Sequence, residues 1–240
     1  MLQVWRADDR YRGGDAAAGI DTRHAFSFAG FYDPGNVRFG SLVACNEERL
    51  APGAGFGPHP HRDVEIVTWV LRGVLEHEDS TGHTSRVLPG DVQRLSAGDG
   101  VRHAERNAGD EELRFLQMWL APGPGGTGAG AAASPAASPA PSAPDYEVVS
   151  GIADGTPYRM PRTDAVLHVR RLGAGGRTAL PDAPWVYAHV VRGAVEIGGE
   201  RLGPGDAARI TRARGLWARE PDVPDAELLL WEMHAEPGYG

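Results

Sequence analysis

The chain has 240 residues, a formal net charge of −8 and 41% hydrophobic residues. This length allows one large domain or two domains of ordinary size, with enough apolar residues for a core. The acidic balance and the absence of basic runs argue against a nucleic-acid-binding surface, which needs clustered Lys and Arg. We therefore expect a globular protein that does not bind nucleic acid directly.

The cysteine content and the first residues bear on the cellular compartment. Cys45 is the single cysteine, so it cannot form an internal disulfide, and it fits a reducing environment. The first nine residues lack the apolar segment of a secretion signal, and no stretch of twenty apolar residues occurs in the chain. These features predict a soluble cytoplasmic protein that does not bind membranes.

Short β-prone segments alternate with turn residues along the chain. Gly and Pro interrupt the sequence so often that long helices would be broken. The β-prone segments of the first half span 37–46, 65–71, 74–78, 85–88 and 113–120. This spacing predicts an all-β barrel or sandwich with little helix.

Two groups of polar residues have the spacing of metal ligands. His59 and His61 each follow a proline that favours extended backbone, so both side chains should point to one face of a strand. His103 and Glu105 are also two residues apart, and the same periodicity applies to them. If the two segments lie side by side, they present three imidazoles and one carboxylate to a common point. The competing interpretation is that these are ordinary surface or hydrogen-bonding histidines.

The donor set indicates which metals such a site would bind. Mixed nitrogen and oxygen ligands suit iron, nickel, copper, zinc or manganese, and four ligands leave octahedral positions free. An open coordination position is typical of catalytic rather than structural metal sites. The sequence therefore predicts a reactive metal centre formed by His59, His61, His103 and Glu105.

Residues 121–144 differ in composition from the rest of the chain. They are almost all Ala, Pro, Gly and Ser, which cannot form a core and are typical of a flexible, partly extended linker. This segment separates a predicted N-terminal domain, residues 1–120, from a predicted C-terminal domain, residues 145–240.

The two predicted domains contain an internal repeat. VLRGVLE at 70–76 is matched by VVRGAVE at 190–196, and PGD at 89–91 is matched by PGD at 204–206. Counting from these matches, the positions equivalent to the four candidate ligands are Ala179, Pro181, Ala218 and Glu220. Since one possible ligand of four remains, the second copy is predicted to have lost its metal.

At this level of detail the chain resembles the pirin family, whose members are two-domain proteins of the cupin superfamily. The resemblance extends nearly from end to end. The motifs that carry it are RHAFSF at 23–28, FYDP at 31–34, GFGPHPHR at 55–62, LEHEDS at 75–80, PGDVQ at 89–93 and GVRHAE at 100–105. The N-terminal motifs are similar to those of the bacterial branch associated with quercetin.

The resemblance implies a fold of two cupin barrels, which are double-stranded β-helices of the jelly-roll type. It places the metal ligands at His59, His61, His103 and Glu105 of the first barrel, and it implies one metal per chain. Iron, as Fe(II), is the usual metal of the family, with Ni, Cu, Zn, Mn or Co as alternatives. The second barrel is expected to lack metal ligands.

Two positions complicate this comparison. In many cupins the position of Glu65 supplies the carboxylate ligand, whereas in pirins the carboxylate comes from the position of Glu105. We expect Glu105 to be the ligand and Glu65 to lie nearby as a hydrogen-bonded or salt-bridged residue. Asp63 stands where many pirins have Gly, although closer bacterial relatives also carry Asp.

The resemblance implies a dioxygenase that cleaves a flavonol such as quercetin with O₂ and releases carbon monoxide. Glu105 would also accept the proton of the substrate hydroxyl. Candidates for the apolar walls around a flat aromatic substrate are Phe28, Phe56, Trp69 and Met118, although packing in the core is the favoured interpretation for any one of them. The alternative is a non-catalytic, iron-dependent regulatory protein that binds a protein partner. A weaker option is a cupin isomerase or another enzyme for a small enolisable substrate.

Overall fold

The computed structural model describes residues 1–123, 142–150, 152, 156–220 and 225–235. Apart from two short 3₁₀ turns, Ala7–Asp9 and Ala16–Ala18, the regular structure of these residues is β-strand. The described residues include no apolar helix with the length needed to traverse a lipid bilayer. The prediction of an all-β protein with little helix is confirmed.

Strands β1 to β21 account for this structure. Those before the Ala/Pro-rich segment are β1 (Leu2–Trp5), β2 (Tyr11–Asp15), β3 (Ile20–His24), β4 (Leu42–Leu50), β5 (Gly55–His61), β6 (Glu65–Arg72), β7 (Leu75–Asp79), β8 (Thr84–Val87), β9 (Val92–Ser96), β10 (Val101–Asn107) and β11 (Leu113–Leu120). Those after it are β12 (Asp145–Val149), β13 (Tyr158–Arg159), β14 (Ala165–Leu172), β15 (Arg177–Ala179), β16 (Trp185–Arg192), β17 (Val195–Ile197), β18 (Glu200–Leu202), β19 (Ala207–Thr211), β20 (Trp217–Arg219) and β21 (Ala226–Met233).

The first compact unit, called the N-terminal barrel, comprises the described residues of 11–38 and 42–152. Its larger sheet has the antiparallel order β12-β9-β6-β11-β4-β3-β2, and its smaller sheet has the order β5-β10-β7-β8. Alternate residues of β10 are buried, which is the pattern of a strand with one face toward a core. Apolar residues of the core are Ile20, Leu50, Val70, Leu75, Val87, Leu113 and Phe115 in one cluster and Ile66, Leu95, Ala97 and Val101 in another.

The second compact unit, called the C-terminal barrel, comprises 1–10, 39–41 and the described residues of 156–235. Its two sheets have the orders β1-β19-β16-β21-β14-β13 and β15-β20-β17-β18. A continuous apolar cluster fills it, to which β16, β19 and β21 contribute alternate residues such as Val186, Ala208 and Leu228. The predicted bicupin architecture is confirmed, since each unit has one large and one small antiparallel sheet.

The internal repeat corresponds to equivalent tight turns in the two units. Gly73 joins β6 to β7 at φ +86°, and Gly193 joins β16 to β17 at φ +71°. Both lie in the left-handed region that glycine adopts without strain. A Cβ atom on Gly193 would lie 2.6 Å from the Cα of Ala226, so close packing of the backbone also requires glycine there.

The two observed units are not the contiguous ranges 1–120 and 145–240 that the sequence predicts. Residues 1–10 belong to the C-terminal barrel, because β1 pairs with β19 from Leu2↔Ile210 to Trp5↔Ala207. Strand β12 belongs to the N-terminal barrel, because it pairs with β9 from Asp145↔Ser96 to Val149↔Val92. Short edge strands are thus exchanged between the two halves of the sequence.

Most of the predicted linker, residues 124–141, lies outside the described residues. Where the description resumes, the chain is already bonded to the N-terminal barrel. The backbone N–H of Asp99 donates to the carbonyl of Ser142 at 3.0 Å, and the N–H of Ser142 donates to Asp99 Oδ1 at 3.1 Å. The predicted extent of the linker, 121–144, therefore includes residues that are part of the barrel.

Candidate metal centre

The two segments that carry the candidate ligands are neighbouring strands of the smaller sheet. Strands β5 and β10 are antiparallel, with His59 opposite His103 and His61 opposite Val101. A register shift follows between His103 and Glu105, so that Glu105 lies opposite Phe56. A bulge of this kind re-aims side chains without breaking the pairing.

The strand pairing brings three imidazoles together. One ring nitrogen from each of His59, His61 and His103 lies within 4.8 Å of the others. The ring centroids are 4.5 Å apart for His59 and His103, 4.8 Å for His59 and His61, and 4.9 Å for His61 and His103. The predicted convergence of these three side chains is confirmed, while their binding of a metal stays a prediction.

The hydrogen bonds made and not made by the three rings show which nitrogen of each is available to a ligand. Nδ1 of His59 lies 2.8 Å from the carbonyl oxygen of Gly57, and this oxygen can only accept, so Nδ1 carries the proton. The Nε2 atoms of His61 and His103 are buried and have no hydrogen-bond partner within the described part of the chain. Buried nitrogens of this kind are rare unless a ligand completes them, so the residues present fit a metal ion.

The protonation state of the cluster also suits metal binding. Burial, followed by the neighbouring imidazoles of His103 and His59, lowers the pKa of His61 to about 4. Burial is also the main reason that the pKa of His103 is lowered to about 3, with His59 and His77 as further causes. Both rings are therefore neutral at pH 7, which is the form that coordinates metals.

Glu105 is 1% exposed, and amide groups hold it by both oxygens. Nε2 of Gln93 donates to Oε1 at 2.8 Å, and Nε2 of Gln117 donates to Oε2 at 2.7 Å. Each oxygen keeps a further lone pair, because a carboxylate oxygen accepts two bonds. Glu105 lies within 4.8 Å of ring nitrogens of His77 and His103 in a second group of three, which shares His103 with the histidine cluster.

His77, on β7, is a buried neighbour of the cluster that the sequence did not single out as a site residue. His77 is fully buried, its Nε2 lies 3.2 Å from Asp79 Oδ2, and its Nδ1 lies 3.4 Å from Nδ1 of His103. A carboxylate accepts only, so Nε2 of His77 donates, and in the neutral His77 ring Nδ1 then accepts from His103. Nδ1 of His103 is then protonated and its Nε2 carries the free lone pair. The alternation of His77 and Asp79 along β7 was the available signal.

The competing carboxylate, Glu65, lies on β6 and belongs to neither group of candidate ligands among the described residues. It is 1% exposed, and the hydroxyl of Ser96 donates to its Oε2 at 2.7 Å. Glu65 is therefore a hydrogen-bonded residue within the barrel, in agreement with the expectation from the sequence.

Two of the four predicted wall residues lie beside the cluster. The ring of Phe56 is 6.5 Å from that of His59, and Phe28 packs edge-on against Trp119 at 5.0 Å. Trp119 itself packs against His61 at 4.8 Å, and sequence analysis missed it.

The other two candidates, Trp69 and Met118, are core residues, which is the interpretation that the sequence favoured for each of them. The Gln93 amide donates to the Thr68 hydroxyl, and the Gln117 amide donates to Glu105, so Thr68 and Gln117 both face the site. Successive residues of a strand face opposite sides. Trp69 and Met118 are therefore on the other face of the sheet, where both are fully buried.

A cavity opens beside the histidine cluster. Its volume is about 420 Å³, within the range of small-molecule sites. It is lined by Pro60, His61, Arg62, Ser80, Asp99, Gly100, Val101 and Arg102. His61 is the one histidine of the cluster in this lining, whereas Pro60, Arg62 and Arg102 alternate with His61 and His103 along the strands and are exposed on the other face.

Comparison with known proteins agrees with this architecture. The Pirin family model matches residues 6–120, and the model described as the quercetinase C-terminal cupin domain matches residues 162–233. A Mycobacterium tuberculosis protein is 40% identical over 242 aligned residues, which cover 99% of this chain and 97% of that protein. The chain belongs to the pirin family.

Some relatives of this pirin are named as enzymes, and one has been solved in complex with a metal. The Mycobacterium tuberculosis protein carries the provisional name of a quercetin 2,3-dioxygenase. The quercetin 2,3-dioxygenase of Escherichia coli K12 is 43% identical over 124 residues, covering 51% of this chain and 52% of that enzyme. The bacterial pirin YhhW from Escherichia coli, solved in complex with nickel(II), superposes with a TM-score of 0.84 at 29% identity, covering 99% of this chain and 100% of that one.

Proposed function

We propose that the N-terminal barrel is a metal-dependent dioxygenase that cleaves flavonols such as quercetin with O₂. The metal is held by His59, His61, His103 and Glu105, and Fe(II) is the ion that we propose. The observation that carries the proposal is the convergence of three imidazoles, two of them with buried Nε2 atoms that have no hydrogen-bond partner among the described residues. One of the three, His61, also lines a cavity of about 420 Å³. The names of the Mycobacterium tuberculosis and Escherichia coli relatives support the reaction type.

The residues around the cluster have separate tasks in this proposal. A divalent metal would supply Lewis acidity and the redox capacity that dioxygen chemistry needs. The three histidines bind it as neutral imidazoles, in keeping with the lowered pKa values of His61 and His103. Glu105 is the catalytic base, because its carboxylate keeps lone pairs that can accept the proton of a substrate hydroxyl.

The surroundings of the cluster would orient an aromatic substrate and limit access of water. Trp119 packs edge-on against His61, and Phe28 packs edge-on against Trp119, so the site has an aromatic wall of the kind that favours flat rings. The substrate in this scheme loses a hydroxyl proton to Glu105, and its heterocycle is opened with release of carbon monoxide.

The test is anaerobic reconstitution with Fe(II), followed by measurement of oxygen uptake and carbon monoxide release with quercetin. Both readouts are needed because flavonols autoxidise. We expect turnover that depends on the metal and disappears in His61→Ala. His59→Ala and His103→Ala should lose the metal, whereas His234→Ala, which removes an exposed histidine of the C-terminal barrel, should retain one ion per chain.

Two results would overturn parts of the proposal. Retention of one ion per chain by both His59→Ala and His103→Ala would contradict the ligand assignment. A fully loaded protein that releases no carbon monoxide would contradict the dioxygenase and favour the regulatory alternative, for which a search for a protein partner is the next step.

A further inference from the structure

Tyr146 lies on β12, the strand that follows the Ala/Pro-rich segment and pairs with β9. Its hydroxyl and its ring contact two different residues, Gln93 and His77, each of which bonds to a candidate metal ligand. We propose that Tyr146 is a positioning residue that orients both Glu105 and His103. This inference rests on the metal site proposed above and extends it to a residue outside the ligand-bearing strands.

The first connection runs from the Tyr146 hydroxyl to Glu105. The hydroxyl lies 3.0 Å from Oε1 of Gln93, and an amide oxygen only accepts, so Tyr146 is the donor. This bond fixes the amide with its NH₂ group toward Glu105, where Nε2 donates at 2.8 Å. Without it the Gln93 amide is held only through its Nε2, which donates to Glu105 and to Thr68, and its oxygen has lost its donor.

The neighbours of the hydroxyl keep it in the donating state. The Ser85 hydroxyl is hydrogen-bonded to the Tyr146 oxygen, and because Tyr146 has given its one proton to Gln93, Ser85 must be the donor. Burial raises the pKa of Tyr146 to about 12, so the hydroxyl keeps its proton at neutral pH. The chain Ser85–Tyr146–Gln93–Glu105 is therefore a directed series of hydrogen bonds.

The second connection runs from the Tyr146 ring to His103. The ring stacks on His77 with centroids 4.4 Å apart and planes 15° apart. His77 is also fixed by Asp79 and accepts from Nδ1 of His103, which leaves Nε2 of His103 as the free ligand atom. Packing against Tyr146 therefore restricts rotation of His77, and through it the orientation of His103.

Strand β12 holds Tyr146 in place by backbone and side-chain bonds. Tyr146 is opposite Leu95 and Val148 is opposite Gln93 in the β12–β9 ladder. Arg94 of β9 adds ion pairs to Asp145 at 2.6 Å and to Glu147 at 3.4 Å. The contacts of Tyr146 with Gln93 and His77 thus depend on β12, a strand that follows residues 121–144 in sequence.

The experiment compares the wild-type chain with Tyr146→Phe, Tyr146→Leu and a control, Glu147→Gln. Tyr146→Phe keeps the ring on His77 and removes the hydroxyl, whereas Tyr146→Leu removes both contacts. Glu147 is on the same strand with its side chain about half exposed, so its variant reports on docking of β12 alone. Each chain is titrated with Co(II) alone, and affinity, visible absorption spectrum and thermal unfolding of the metal-free protein are recorded.

We expect Tyr146→Phe to bind Co(II) about tenfold more weakly, as is typical when an outer partner of a metal ligand is lost, with an altered spectrum at saturation. Its metal-free unfolding temperature should fall only slightly, because the two hydrogen bonds of the hydroxyl, to Gln93 and from Ser85, are lost while the packing of the ring is kept. Tyr146→Leu should bind more weakly still, and Glu147→Gln should match the wild type. Should Tyr146→Leu fail to fold, Tyr146→Phe carries the test.

Wild-type affinity and spectrum in Tyr146→Phe would overturn the inference. Tight Co(II) binding by the wild-type chain without oxygen uptake by its Fe(II) form would overturn the dioxygenase and leave the role of Tyr146 standing. Failure of the wild-type chain to bind Co(II) would overturn both the metal site and the role of Tyr146.

Discussion

Glu48 is a second carboxyl group buried in the N-terminal barrel, and the hydroxyl of Thr22 donates to its Oε2 at 2.5 Å. Burial, despite this bond, raises the pKa of Glu48 from its ordinary value of 4.5 to about 7, and Glu105 adds to the effect. Below pH 4.5 Glu48 is protonated whether the chain is folded or unfolded. Between pH 4.5 and about 7, Glu48 is ionised in the unfolded chain but still protonated in the folded chain, so the free energy of unfolding falls as the pH rises.

We predict that Glu48→Gln gains stability over the wild type as the pH rises. The difference in the free energy of unfolding should grow between pH 4.5 and pH 7 and reach roughly 3 kcal/mol at pH 8, from the size of the pKa change. Urea unfolding of the metal-free proteins at several pH values measures it. The lowered pKa values of His61 and His103 affect both proteins equally and cancel in the difference.

The adjacent residue provides a control of opposite sign. Burial alone would raise the pKa of Glu47, but hydrogen bonds and charges from Arg114 and Arg49 outweigh it and lower that pKa. Glu47→Gln should therefore be less stable than the wild type at pH 8, and this deficit should shrink in acid. A gain for Glu48→Gln that is the same at pH 5 and pH 8 would contradict the raised pKa.

Residues of the candidate site were predictable from the sequence to the extent that they obey local periodicity. The two-residue spacing in each of two strands was sufficient to predict that His59, His61 and His103 converge. Gln93, Gln117 and Tyr146 were not predictable, because the bonds of the two amides to Glu105 and of Tyr146 to Gln93 depend on which strands pair at long range. Strand periodicity applied from Gln117 would have identified Trp119 in place of Met118, but the face of that strand was unknown from sequence.

At the scale of single elements, the turn after β16 shows why the repeated Arg-Gly pair needs glycine at its second position. Gly193 combines φ +71° with a Cα atom of Ala226 at 2.6 Å from where a Cβ would lie. Gly199, between β17 and β18, has φ +85° but open space around the same position. The two glycines therefore separate the cost of the backbone conformation from the cost of the clash.

We predict that Gly193→Ala lowers the free energy of unfolding by about 2 to 5 kcal/mol. About 1 to 2 kcal/mol comes from the left-handed backbone, and about 1 to 3 kcal/mol comes from overpacking against Ala226. Gly199→Ala should cost only the first part. Denaturant unfolding of both variants measures the difference, and equal losses would show that the contact with Ala226 relaxes without cost.

At the scale of the whole molecule, the repeat and the turn spacing were sufficient to predict two all-β barrels. They could not predict which edge strands complete each barrel. Strands β1 and β12 are four and five residues long, and their partners are distant in sequence or lie across the Ala/Pro-rich segment. Short edge strands carry too little hydrophobic pattern to assign a partner.

We predict that a chain cut once within 124–141, at an inserted protease site, stays together as two pieces. Each piece contributes a strand to a sheet of the other piece, with five register pairs between β12 and β9 and four between β1 and β19. Two such pairings act together, so losing one does not release the other. The pieces should elute as one species in size-exclusion chromatography, retain Co(II), and separate in urea.

A matched experiment removes residues 1–5 before cleavage. This deletes the β1–β19 pairing and leaves the β12–β9 pairing and the contacts of residues 6–10 and 39–41 within the C-terminal barrel. These pieces should separate at a higher total concentration than the pieces of the full chain. Separation of the full-length pieces in plain buffer at micromolar concentration would contradict the prediction.

The exchanged edge strands also determine how this gene can be divided during recombination. A segment that ends before the Ala/Pro-rich tract encodes all four candidate ligands, but it lacks β12 and leaves β9 as an unpaired edge that is prone to aggregate. The continuous piece that encodes the whole metal-binding barrel is 11–152. In gene fusions and circular permutants, the transferable module therefore crosses the tract that composition alone marks as its boundary.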